Sequence, residues 1–204
     1  YPSWLYPVTK GATTIWEHWD GMKEDGSFWS DDMNSFNHYA YGAIGDWMYR
    51  VVAGLDMDES EPAYKKIKIQ PRIGGREMTF ARAAYHSLYG RIVSKWNITH
   101  EQINIEVEVP ANTTAFIILP HSRLDSIKEN GVDLMNAEGV LDVTQTEEGV
   151  SLSVGSGSYH FNYKNQLGLK PIYTSDSRII DLISNEETKQ VLETFVPGIS
   201  NPHG

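Results

Sequence analysis

Cysteine is absent from the 204 residues, which excludes both a disulfide frame and a cysteine-ligated metal centre. Basic residues are few: 17 Lys and Arg stand against 27 Asp and Glu, giving a net charge of −10. A balance of that sign argues against nucleic acid and anionic membrane as partners, because both reward Lys and Arg. No apolar run reaches membrane-spanning length, and no signal-peptide pattern is present. Also missing is an initiator Met. The chain opens Tyr1-Pro2-Ser3-Trp4, so the economical expectation is a stretch cut from a longer polypeptide with its targeting signal upstream. Walker loops, dinucleotide fingerprints and nucleophile elbows are lacking. Gly155-Ser156-Gly157-Ser158 precedes a strand and reads as a turn, not a phosphate cradle. His86, His100, His121 and His160 show no ligand spacing, so neither a metal nor another cofactor is expected.

What the chain does have is aromatic crowding at its start. Five of its six tryptophans lie in the first 47 residues. Within them sits Ile15-Trp16-Glu17-His18-Trp19-Asp20-Gly21, and Ser35-Phe36-Asn37-His38-Tyr39 follows it. Rings interleaved with a few polar groups suit a sugar, whose C–H faces stack on aromatics while its hydroxyls need donors and acceptors. A glutamate in that setting is a candidate acid or base for a glycosidic bond.

The pattern divides the chain into three zones, giving a mixed fold. Residues 1–60 are aromatic and acidic; Ser35 is placed to cap a helix whose apolar positions Tyr39, Ala43, Ile44, Trp47, Val51 and Leu55 recur at helical steps. Asp20 to Asp32 reads as a loop. Residues 61–165 change period. Alternating runs near 66–70, 78–85, 91–98, 103–109, 114–119, 126–129, 140–144, 150–154 and 157–163 predict an antiparallel β-sandwich. Residues 166–204 lose the alternation, and 177–183 and 186–195 predict a helical hairpin split at Ser184-Asn185.

Glu17 is the sharpest candidate for chemistry, since tryptophans around a carboxylate favour proton-transfer roles. The competing account is a glutamate that pairs with a Lys or Arg beside an aromatic core. His38 is expected one turn into the long helix, near its positive end, where a neutral ring donates to a sugar hydroxyl. A histidine packed between helices is the alternative. Trp4, Trp16, Trp19 and Trp29 are candidate sugar platforms, although tryptophans are mostly buried wherever they occur; Trp47 belongs to packing. The acids Asp20, Glu24, Asp25, Asp31 and Asp32 fit a solvated loop better than a calcium loop.

Three segments together resemble late catalytic-domain motifs of bacterial α-L-rhamnosidases, glycoside hydrolase family seventy-eight. They are Pro2-Ser3-Trp4, Gly11 to Gly21, and Ser35 to Gly42, continued by Asp46-Trp47 and by Gly155 to Tyr159. The resemblance implies the last helical piece of an (α/α)6 barrel, then the β-sandwich, then a short helical tail. It implies inverting hydrolysis of terminal α-L-rhamnosides, a rhamnose-containing carbohydrate as substrate, and a periplasmic or secreted parent enzyme. Glu17 matches the family's general base and His38 a sugar-binding histidine, with Trp16 and Trp19 lining the pocket. The general acid belongs to an upstream catalytic domain, so the chain alone is expected to be inactive. A different class remains open on the residues themselves: a non-catalytic carbohydrate-binding or structural β-sandwich module with an aromatic extension.

Overall fold

A computed structural model of the chain describes residues 3–74, 78–99, 101–166, 179–183 and 186–198. It divides into two compact units, Tyr1–Tyr49 and Arg50–Gly204.

The first unit holds little regular structure. A short helix, α1 (Leu5–Thr9), is followed by loops that pair locally, then a helical run in three pieces. That run comprises a 3-10 turn at Ala40–Ala43, α2 at Ile44–Trp47 and a π turn at Met48–Val52, which crosses into the second unit. The helix expected from Ser35 to Leu55 is therefore corrected at both ends. Its first residues are drawn into backbone pairing with residues 15–17, and Leu55 is taken into a sheet. His38 consequently precedes the helix instead of lying one turn inside it.

The second unit is a sandwich of two sheets. One has five strands in the order β1 (Leu55–Met57), β2 (Lys66–Ile69), β6 (Thr114–Pro120), β10 (Gly149–Val154) and β9 (Val140–Gln145). The other has six, in the order β3 (Phe80–Ser87), β4 (Gly90–Ile98), β5 (Gln102–Val109), β11 (Gly157–Lys164), β7 (Lys128–Glu129) and β8 (Val132–Asp133). Alternation in the sequence sets which residues face inward. Ile103, Ile105, Val107 and Val109 of β5 are buried, as are Ala115, Ile117 and Leu119 of β6, and they meet in one apolar cluster.

Among the described residues, the expectation of an antiparallel sandwich holds for every strand pairing but one. β2 and β6 run parallel, with Ile67 opposite Ala115 and Ile69 opposite Ile117. After β2 the chain runs the meander β3–β4–β5 in the other sheet, then returns to lay β6 beside β2 in the same direction.

Residues 51–54 are strapped onto this sandwich through β4 and the segment after β2. The Trp96 indole N–H donates to the Val52 carbonyl at 2.8 Å, and the Ser94 hydroxyl donates to the Ala53 carbonyl at 2.6 Å. Trp96 and Ser94 are both fully buried, so these bonds satisfy polar groups that water cannot reach. The N–H groups of Gln70 and Arg72 donate to the carbonyls of Gly54 and Val51 at 2.8 and 3.0 Å. Gly54 adopts φ +72°, and a Cβ there would lie 2.1 Å from the Pro71 nitrogen; only glycine fits.

In the tail, α3 (Ile179–Ile183) and α4 (Glu186–Phe195) occupy the two runs read as helical, and the Thr188 hydroxyl donates to the Leu182 carbonyl. Leu182, Ile183 and Leu192 are half-buried, whereas Val191 and Phe195 are exposed. Ser177, Arg178, Ser184, Asn185 and His100 lie outside the described residues. Among those described, no helix is long and apolar enough to cross a membrane, and no cluster of three His, Asp or Glu is placed to hold a metal ion.

Candidate active-site wall

Two segments distant in sequence, one around Glu17 and one from Ser35 to His38, are brought side by side in the first unit. The Glu17 N–H donates to the Ser35 carbonyl at 2.8 Å, and the His38 N–H donates to the Ile15 carbonyl at 2.8 Å. The Thr14 hydroxyl adds a bond to the Phe36 carbonyl. The Glu17 carboxylate is held in turn, because its Oε2 accepts the Ser35 backbone N–H at 2.9 Å. No cation pairs with Glu17 among the described residues, so the ion-paired alternative is not what the geometry displays. One carboxylate oxygen is anchored, and the other has no hydrogen-bond partner among the described residues.

His38 follows the same ladder. Its Nδ1 accepts a long bond from the Ala40 N–H at 3.4 Å, and its ring stacks on Tyr39 with centroids 5.4 Å apart. With Nδ1 accepting, Nε2 is the ring nitrogen placed to donate.

The tryptophans separate into two groups. Trp16 is buried, 6% exposed, with its ring at 80° to Phe36 and 4.9 Å away; in this chain it is a packed ring. Trp19 packs on Trp4 at 4.9 Å and stacks on Tyr41 at 4.9 Å with planes at 24°, and the Trp4 indole N–H donates to the Tyr41 carbonyl at 3.1 Å. Trp4 and Trp29 are 45% and 44% exposed and so offer aromatic surface. Trp29 also stacks on His18, with centroids 3.9 Å apart and planes at 20°.

Sequence reasoning did not single out His18, Asn34 or Tyr41. His18 Nε2, Trp19 Nε1 and Asn34 Oδ1 are buried and have no hydrogen-bond partner among the described residues. Each such atom costs about 1–3 kcal/mol, and groups of this kind collect where binding or catalysis outweighs stability. Asn34 also spans back to the same loop, its Nδ2 donating to the Gly21 carbonyl at 2.8 Å. No local pattern marks Asn34, because its partners come from a turn 13 residues away.

The acidic loop behaves as the solvated account expects. The Met22–Phe28 bridge closes a turn in which Asp25 accepts both the hydroxyl and the N–H of Ser27, at 2.7 and 2.9 Å. The Ser27 hydroxyl, then its N–H, hold the Asp25 carboxyl below the usual carboxylate range. Glu24 pairs with Lys10 at 2.9 Å. These acids brace a turn.

Comparison with known proteins gives this geometry a context. The family described as the bacterial alpha-L-rhamnosidase 6 hairpin glycosidase domain matches residues 1–52, and the bacterial alpha-L-rhamnosidase C-terminal domain matches residues 54–133. An alpha-L-rhamnosidase of Streptomyces avermitilis is 40% identical over 161 residues, covering 79% of the chain and 15% of the relative. Another, from Formosa agariphila, is 38% identical over 167 residues, covering 82% and 18%. The crystal structure of the Streptomyces avermitilis enzyme complexed with L-rhamnose aligns at TM-score 0.68 and 38% identity, over 80% of this chain and 15% of that one. The alpha-L-rhamnosidase from Dictyoglumus thermophilum aligns at TM-score 0.65 and 31% identity, over 81% and 18%. The chain thus spans less than a fifth of the length of these relatives.

Proposed function

The chain belongs to the bacterial α-L-rhamnosidases, and on that footing we propose that it supplies the water-activating wall of an inverting hydrolase of terminal α-L-rhamnosides. In this reading residues 1–60 are the last helical piece of an (α/α)6 barrel, residues 61–165 the C-terminal sandwich and residues 166–204 a helical tail. The supporting observation is the state of Glu17: one carboxylate oxygen tied to the Ser35 N–H at 2.9 Å, the other uncommitted, and no cation competing for it. A base needs just this, a fixed direction and a lone pair to receive a proton.

Inversion separates the two chemical tasks. A protonated acid gives its proton to the leaving oxygen, while a carboxylate on the opposite face of the ring takes one from the attacking water. Glu17 is the second group. The water's oxygen forms the new bond to the anomeric carbon as the glycosidic bond breaks, and its proton passes to the free oxygen of Glu17. His38, with Nε2–H as donor, binds a sugar hydroxyl, Trp19 offers a ring wall beside Tyr41, and Trp16, next to Glu17 in sequence, anchors that segment by packing against Phe36. The general acid comes from the upstream part of a protein as long as the relatives. Lacking it, the present chain has no rhamnosidase activity of its own, because one carboxyl group cannot perform both transfers.

The test uses an aryl α-L-rhamnoside and a protein of the relatives' length that contains this chain. Glu17→Gln lowers kcat by about 10³-fold, within the 10²–10⁴ range of a general base, and keeps L-rhamnose binding. Near-normal turnover removes Glu17 from the role. Glu17-dependent hydrolysis by the present chain alone overturns its dependence on an upstream acid.

A further inference from the structure

Three asparagines align across the outer face of the six-stranded sheet. Asn97 of β4 stands opposite Asn104 of β5, which stands opposite Asn162 of β11. Their strand neighbours Trp96, Ile103, Ile105, Phe161 and Tyr163 fill the core, so alternation turns all three amides outward. Each is half-buried, and none of their side chains bonds to another described residue. Asparagine is a poor strand former. Three of them in register on central strands weaken the sheet and gain no internal bond in return.

The row continues at one end into Phe80 of β3, paired with Asn97 and 58% exposed. The Arg82 guanidinium packs over that ring at 5.6 Å. The adjoining row reads Arg82, Lys95, Glu106 and His160 across the same four strands. Lys95 pairs with Glu106 at 2.9 Å, and Lys128, beside Asn162, pairs with Asp133.

We propose that this amide row, capped by Phe80, is a binding face for a neutral oligosaccharide. Each amide offers two donors and an acceptor, the combination that sugar hydroxyls satisfy. Adjacent strands lie about 4.8 Å apart, so three amides span roughly 10 Å, about two sugar rings. Phe80 supplies the stacking surface at the end of the row. The charges beside it are largely cancelled in pairs, which disfavours a polyanion such as nucleic acid, whose binding requires uncompensated cations. The centre of the row is polar, unlike the apolar core of a protein–protein interface. This face lies wholly in the second unit and does not depend on the role assigned to Glu17.

The test is isothermal titration calorimetry on the present chain with a neutral rhamnose-containing tetrasaccharide, and with polygalacturonate as the polyanion. The parent chain binds the tetrasaccharide and not the polyanion. Asn104→Ala, at the centre of the row, weakens binding at least ten-fold; Asn162→Ala and Phe80→Ala weaken it severalfold, with unchanged thermal melts. His38→Ala, which removes the histidine proposed to hold sugar in the first unit, retains this binding. The proposal falls if the parent binds no tetrasaccharide, if polygalacturonate binds equally well, or if folded Asn104→Ala and Asn162→Ala both bind like the parent. Should binding vanish in His38→Ala and persist in Asn104→Ala, the sugar sits at the wall that holds Glu17 and His38, and this proposal fails while the hydrolase reading stands.

Discussion

Glu17 and Ser35 hold each other twice: the Ser35 N–H donates to the Glu17 carboxylate at 2.9 Å, and the Glu17 N–H donates to the Ser35 carbonyl at 2.8 Å. The proposed base is thus oriented by main chain, not by another side chain. A backbone donor cannot rotate away or be titrated, and it fixes which oxygen is tied to the main chain.

Ser35→Ala keeps that N–H and is expected to leave turnover of the relatives-length enzyme nearly unchanged. Ser35→Pro deletes it. A hydrogen bond to a charged group is worth about 1.5–3 kcal/mol, so kcat falls by roughly 10–100-fold, while KM for an aryl rhamnoside changes little. Steady-state kinetics on the pair decides it, and equal kcat values in the two variants refute the orienting role.

Trp96→Phe keeps a ring in the core but removes the donor to Val52. A half-buried carbonyl left without its donor and a small void together cost about 1–3 kcal/mol. Urea denaturation followed by circular dichroism gives the value, and a loss below half a kcal/mol rules out the strap as a stabilising feature.

Gly54→Ala places a methyl group against the Pro71 backbone in a left-handed conformation. Conformational strain of about 1–2 kcal/mol adds to overpacking of about 1–3 kcal/mol. The thermal midpoint drops sharply. An unchanged midpoint would mean that the approach of residues 54 and 71 is not tight in solution.

Acid stability has a local source. Two hydrogen bonds from Ser60 and the ammonium of Lys66 lower the Asp58 carboxyl to about 2. A depressed carboxylate stabilises the fold above its unfolded pKa, about 3.9, and that contribution is lost as pH falls through the folded value. Asp58→Asn should therefore flatten the decline in thermal midpoint between about pH 4 and pH 2. Identical declines in both proteins would count against it.

Alkali acts through Tyr163. Burial pushes its phenol upward, and its hydroxyl donates to the Pro120 carbonyl at 3.0 Å. A raised phenol leaves stability intact below the unfolded pKa, about 10, and costs stability above it, because only the unfolded chain ionises readily. Tyr163→Phe should lessen the fall in midpoint above about pH 10. A decline as steep as the parent's would refute the assignment.

Most of the sandwich was legible because each long strand alternates over a core: β5 and β6 are plain in the residues themselves. What escaped notice were strands too short to show a period. Leu55–Met57 was absorbed into the end of a helical pattern, and Val132–Asp133 has only two residues. The parallel pairing of β2 with β6 left no local mark either, since each partner lies 48 positions along the chain from its mate, as Lys66 does from Thr114. Near the site, Glu17, His38 and the tryptophans announced themselves by type and spacing. His18 and Asn34 did not, because their significance lies in lacking partners, which only packing reveals. The asparagine row was invisible for a related reason. Register, and not sequence spacing, aligns Asn97, Asn104 and Asn162.

The parallel contact between β2 and β6 also governs how the sandwich is assembled and undone. Among the described strands, β1 joins its sheet only through β2, and β2 reaches the remainder of that sheet only through β6. Hairpins such as β3–β4 close over short loops, whereas this seam has to wait until the intervening meander has brought its two sides together. Late to form, it is expected to be among the first ladders to exchange its amide hydrogens in the native state. Losing it frees two strands at once.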